Sequence, residues 1–167
     1  MKTTKRGIAN ITDFISSLGG QLVIIGLVLA AAVVAYFKIS ATSEVTLVST
    51  LLNETRQLRS SGGYGTTDYS AALIASGAVP GNVTVSNGQI YNRAGGVVTV
   101  KGNGVGFTVT DTLLSAKECI KVAQGVGTSD MASTKINNQT ITGEVTAAAA
   151  TTACTGATNT VVFTTKS

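Results

Sequence analysis

The sequence predicts an α+β protein in which a long amino-terminal helix, apolar in its first half, lays its second half against an antiparallel sheet accompanied by a short further helix. Three observations predict it. Residues 14–37 carry no charge, an apolar stripe at helical spacing continues through Arg59, and beyond Gly63 the chain breaks into short alternating segments punctuated by glycine. A length of 167 residues suits one domain with an appendage and is too short for two full domains.

Composition narrows the function before any element is placed. Twelve Lys and Arg against eight Asp and Glu leave a net charge of +4, with 12% of residues charged, 44% hydrophobic and 5% aromatic. Such a chain is neither an acidic disordered segment nor a nucleic-acid binder. Lys2, Lys5 and Arg6 supply three of those four units, so the balance after residue 7 is nine against eight. Histidine is absent, which excludes Ser-His-Asp and Cys-His nucleophiles, histidine acid-base catalysis and histidine metal sites. The chain reads as a non-enzyme with no cofactor and no metal site. Asp111, Glu118 and Asp130 lack the dense Asp/Asn loop that calcium requires.

Between Phe14 and Phe37 there are twenty-four uncharged residues, and Leu22 to Phe37 reads LVIIGLVLAAAVVAYF. As helix they span about 36 Å, enough for a hydrocarbon core of roughly 30 Å. The basic head MKTTKRG places the start of this segment in the cytoplasm, so the remainder is expected to be exported. Residues 39–59 contain no Gly or Pro, and Ala41, Val45, Val48 and Leu52, widened by Leu47, Leu51 and Leu58, form one apolar face. The membrane segment and this amphipathic segment read as a single helix over residues 8–60, stopped by Ser60-Ser61-Gly62-Gly63. Its second half has a domain to pack on, whereas its first half must pack among lipids or against other copies.

The remaining elements follow from local chemistry. Asp68 caps a short helix over 69–76 closed by Gly77, and Asn87-Gly88 joins Val83-Thr84-Val85 to Gln89-Ile90-Tyr91 in a tight hairpin. Gly95 to Val100 and Gly106 to Thr110 alternate as antiparallel strands around a turn at 102–104. Ser115-Ala-Lys-Glu118 is a capping box opening a helix to about Gln124. Residues 139–145 and 160–164 are expected strands. The stretch 126–153 is rich in Thr, Ala and Asn and is expected to be a surface region with little core of its own.

Several of these features together resemble type IV pilins. Lys5-Arg6-Gly7 before apolar Ile8 resembles the short basic leader that prepilin peptidase removes after a Gly, before the new amino terminus is methylated. Cleavage there divides the chain into a leader (1–7), a long helix (8–60) that is first a membrane segment and then a filament core, and a globular head (61–167). Gly19-Gly20 before Gln21 offers an alternative, with a leader of 1–20 as in the longer leaders of the type IVb branch. Such pilins usually carry Glu at the fifth mature position, paired with a neighbour's free amino terminus; here Thr12 stands fifth and Asp13 sixth. Asp13, the first acid of the chain, is the candidate substitute, since a carboxylate in an apolar bundle must be paired. A plain helix-start acid at the membrane surface is the other reading of Asp13.

In the head, Gly62-Gly63-Tyr64-Gly65, Ile74 to Pro80, Asn92 to Gly96, Gly106-Phe107-Thr108-Val109 and Lys117 to Ala123 occur in an order and spacing that resembles type IVb pilins, among them the bundle-forming pilin and the pilins of conjugative-plasmid thin pili. In an exported chain Cys119 and Cys154 are expected to form a disulfide rather than two free thiols, and the pair fits that family's carboxy-terminal disulfide. The resemblance implies a type IV pilin fold and a structural subunit, the major pilin. Such a subunit starts in the inner membrane, is handled by prepilin peptidase and the pilus assembly machinery, and polymerises with copies of itself into an extracellular filament. Adhesion, aggregation and conjugative mating are the roles the resemblance implies. A minor pilin, a secretion-system pseudopilin and a membrane-anchored binding domain that never polymerises are the alternatives.

Overall fold

The computed structural model describes residues 43–167 together with Ile25 and Val28. Its first full element is helix α1, Glu44–Gln57, which begins on Ser43: the Ser43 hydroxyl accepts from the Thr46 N–H at 3.2 Å, with Glu44 in the first turn and Arg56 in the last. Ser43 has an extended backbone (φ −72°, ψ 151°), so α1 starts after it, and the part of the helix expected over 8–60 that precedes residue 43 lies outside the described residues save Ile25 and Val28. The expected membrane half lies outside the described residues apart from Ile25 and Val28. Among the described residues no helix is long and apolar enough to cross a membrane.

Leu47, Val48, Leu51 and Leu52 of α1 are buried, as the apolar stripe predicts, while Val45 and Leu58 pack at its edges. The helix stops at the turn before Tyr64. That side chain is buried, meets the Phe107 ring edge-on at a centroid distance of 4.8 Å, and donates its hydroxyl to the Arg56 carbonyl at 3.3 Å. The Gly-Gly-Tyr-Gly motif is thus a turn that drives one aromatic anchor under the end of α1. Helix α2 (Ser70–Ala75) follows, with Asp68 accepting from the Ser70 N–H at 2.8 Å and Gly77 in the left-handed region at φ 73°.

The hairpin forms as expected: β1 (Thr84–Ser86) pairs with β2 (Gln89–Tyr91), and Asn87 and Gly88 take φ 51° and 72°, the conformation of a type I′ turn. Next come β3 (Val97–Asn103), β4 (Gly106–Leu114), helix α3 (Ala116–Val126), β5 (Met131–Ile136), β6 (Gln139–Ile141), helix α4 (Ala147–Ala153) and β7 (Asn159–Thr165). They build one seven-stranded sheet in the order β1-β2-β3-β4-β7-β5-β6, every neighbouring pair antiparallel. The final strand therefore lies inside the sheet. One face buries Ile90, Val98, Val100, Phe107, Val109, Val161, Phe163 and Ile136, and the opposite face is rich in half-buried threonine. Helix α1 touches β4 and α3, and α3 touches β7. The helices approach closely at Gly125, where an added Cβ would lie 2.8 Å from a Val45 methyl.

Three further expectations need correction. The β3–β4 turn falls at Gly104 and Val105, because Gly102 pairs with Phe107 inside the ladder. The strand expected over 139–145 ends at Ile141, and Gly143 turns the chain away at φ 82°. The region 126–153 is not merely a tethered surface. Its β5 lies between β7 and β6 with Met131, Thr134 and Ile136 buried, and its α4 is capped by Thr146 and buries Ala150 and Ala153.

Candidate functional site

The head is closed where helix α3 meets the last strand. Ser115 and Glu118 form the reciprocal capping box that starts α3, and one turn in, Cys119 is bonded to Cys154, with Cα atoms 5.9 Å apart at a sequence separation of 35. Both cysteines are buried. The bond fastens the end of α4 to α3, so the segment carrying β5, β6 and α4 is held at one end covalently and along β7 by its ladder.

Two asparagines continue this closure. Asn159 is buried and donates to the carbonyls of Leu114 at 3.1 Å and Gly156 at 2.9 Å, while its oxygen accepts from the Gly156 N–H and the Asn137 amide. Asn137 sits in the β5–β6 turn at φ 52°, donates to the Ala153 carbonyl at 3.0 Å and accepts from the Thr160 N–H at 3.0 Å. Three segments (the exit of β4, the β5–β6 turn and the loop after α4) are thus tied through two side chains. Each satisfies backbone groups that the surrounding turns leave unpaired.

A second buried polar cluster lies at the entry to α1. Asp111 of β4 is fully buried and accepts from the Asn92 amide at 2.7 Å; Glu44 is 6% exposed and accepts from the Arg93 N–H at 3.0 Å. Asn92 is itself locked, donating to the Thr112 carbonyl and accepting from the N–H groups of Ala94 and Gly96. Burial pushes the Asp111 carboxyl up to about 7 despite the Asn92 bond, with the charges of Glu44 and Glu118 adding to the rise. Glu44 is raised too, by burial first, with the Arg93 N–H opposing.

Of the residues singled out from sequence, Cys119 and Cys154 are brought together. Gly7, Ile8, Asp13, Gly20 and Gln21 lie outside the described residues. Among the described residues no group of three His, Cys, Asp or Glu side chains could hold a metal ion, so Asp111, Glu118 and Asp130 do not form one. Sequence reasoning misses the asparagine ties and the Glu44–Asp111 cluster. Asp111 is nevertheless visible in principle, because it shares strand parity with Phe107 and Val109.

An antiparallel sheet with the first helix against its buried face, the last strand in its interior and a disulfide from helix to carboxy-terminal loop defines a pilin-like α+β head. The chain belongs to the family described as PilS N terminal, a pilin-related family whose model matches residues 38–166 and fits a type IV pilin-like protein. No curated protein and no solved structure matches the chain.

Proposed function

We propose that the protein is the major structural subunit of a type IVb pilus, made as a membrane-bound precursor, cleaved by prepilin peptidase after Gly7 or Gly20, and polymerised through its amino-terminal helix into an extracellular filament. The match of residues 38–166 to a pilin-related family carries this reading. The uncharged run 14–37 behind a basic leader and the disulfide that suits an oxidising compartment support it. A chain that keeps its apolar segment after processing must cover it in lipid or bury it against other copies, and a filament does the second. Asp13 is the group proposed to neutralise a neighbouring amino terminus inside that core.

Adhesion, aggregation and conjugative mating are the uses proposed for such a filament. Electron microscopy of the material sheared from cells expressing the chain with an assembly machinery tests the reading. Thin filaments labelled by antibody to the head are expected. A chain found wholly in the inner membrane, with no filament, would favour a non-polymerising anchored domain.

A further inference from the structure

We propose that the cleft between the β1–β2 turn and the start of α2 is a binding site for one neutral sugar ring. It lies along one edge of β3, where that strand changes partner. Strand β2 pairs only with Val97 and Val98. Two residues on, the Tyr69 N–H donates to the Val100 carbonyl at 2.8 Å, and Asp68 faces Lys101 across an isolated bridge. The gap between these two partners opens beside Thr99 and has a volume of about 290 Å³. That is room for about ten waters, at the lower limit of small-molecule sites. Gly88, at φ 72° in the hairpin turn, lines it without a side chain.

Three side chains bring unspent polar groups to this lining. Asp68 accepts from the Ser70 N–H at 2.8 Å through Oδ1, and Gln89 accepts from the Tyr91 hydroxyl at 2.9 Å through Oε1. Each is held by one atom, while the other, Asp68 Oδ2 or Gln89 Nε2, bonds to no protein group among the described residues. The Thr99 hydroxyl has no such partner either, and its β-branched side chain is stiff at χ1. An acceptor, a donor amide and a hydroxyl that does both are thus set before a ligand arrives, which spares side-chain entropy on binding.

The lining selects its ligand by exclusion. Among the described residues no Lys or Arg lines the cleft, so a phosphate or carboxylate would meet only the like charge of Asp68. A single carboxylate does not hold a divalent cation, and among the described residues there is no cluster of metal-binding side chains. The apolar lining is Ala71, Val97 and Val98, and Val98 is fully buried, which leaves too little wall for an apolar ligand. A neutral ring with neighbouring hydroxyls answers all three polar groups: it donates to Asp68 Oδ2, accepts from Gln89 Nε2 and does either with Thr99. Hydrogen bonds to a charged acceptor are the strong ones, so Asp68 supplies the largest share of the affinity. The cleft lies wholly in the head, so the site stands whether or not the chain polymerises.

The test is a titration of the isotope-labelled full chain, in micelles of a detergent without a sugar headgroup, with the methyl glycosides of glucose, galactose, mannose and N-acetylglucosamine, read by NMR. At least one glycoside is expected to bind saturably with a Kd on the order of 1 mM, moving the signals of Asp68, Ser70, Thr99 and the Gln89 side-chain amide. Asp68→Asn keeps an acceptor for the Ser70 N–H, and Thr99→Val keeps the shape of the side chain. Each is expected to weaken that binding by at least about fivefold, whereas Lys121→Gln on α3 leaves it unchanged. The wild-type map decides the matter if a variant fails to fold. No saturable shift at these residues with any glycoside, equally strong binding of glycerol or ethylammonium, or an affinity that either cleft variant keeps overturns the proposal.

Discussion

Replacing Cys119 and Cys154 together with alanine is expected to lower the unfolding free energy by about 3–4 kcal/mol, and the melting temperature by roughly 10 °C. The bond closes 35 residues of chain, and most of its effect comes from restricting the unfolded state. The native segment does not come free without it, because β5 keeps its ladder with β7 and buries Met131, Thr134 and Ile136. Loss of protection is therefore expected first in α4 and the loop after it, read by hydrogen exchange, with β5 following only on global unfolding. Unchanged stability in the double variant would show that the ladder alone holds the region.

The second large effect is expected from Asn159→Ala, at about 3–4 kcal/mol by chemical denaturation. Asn159 makes four hydrogen bonds, and its removal strands the Leu114 and Gly156 carbonyls, the Gly156 N–H and part of the Asn137 amide. A buried group left without a partner costs more than the bond contributed when made. Because Asn159 and Cys154 fix the same loop from opposite ends, the two losses should not add. The combined variant is expected to fall short of the sum by about 1 kcal/mol, as contacting residues in one network do. Full additivity would mean that the disulfide and the asparagine act on separate units.

Elements with strong local chemistry were legible in the sequence. The Ser115–Glu118 capping box, the Asn87-Gly88 turn and the alternation of β3, β4 and β7 each carry their signal within a few residues, and each formed. Strand β5 was not legible, because MASTKI mixes small and polar residues and takes its place only by pairing with β7. Helix α4 escaped for a related reason: AAAATTA has no amphipathic stripe, and only Thr146 at its cap and the burial of Ala150 and Ala153 define it. The start of α1 at Glu44 turns on a single Ser43 hydroxyl placed to cap Thr46, which hydrophobic periodicity does not register.

The site divides along the same line. Two cysteines have one intramolecular pairing, so the disulfide was readable once export was expected from the basic head and apolar run. Asn137, Asn159, Glu44 and Asn92 work by satisfying groups distant in the chain, from Leu114 to Asn159 and from Glu44 to Arg93, and no local pattern marks them. Asp111 shares strand parity with buried Phe107 and Val109, but the Asn92 amide it accepts from lies 19 positions away and carries no local signal.

The central claim is that a prepilin-type precursor loses its basic leader and keeps its apolar segment. Intact mass and amino-terminal sequencing of the exported protein test it most directly. A mature chain starting at Ile8, or at Gln21, and carrying one added methyl group is the predicted result. A protein that retains Met1, or one that starts near residue 40 with the apolar run removed, would contradict the account.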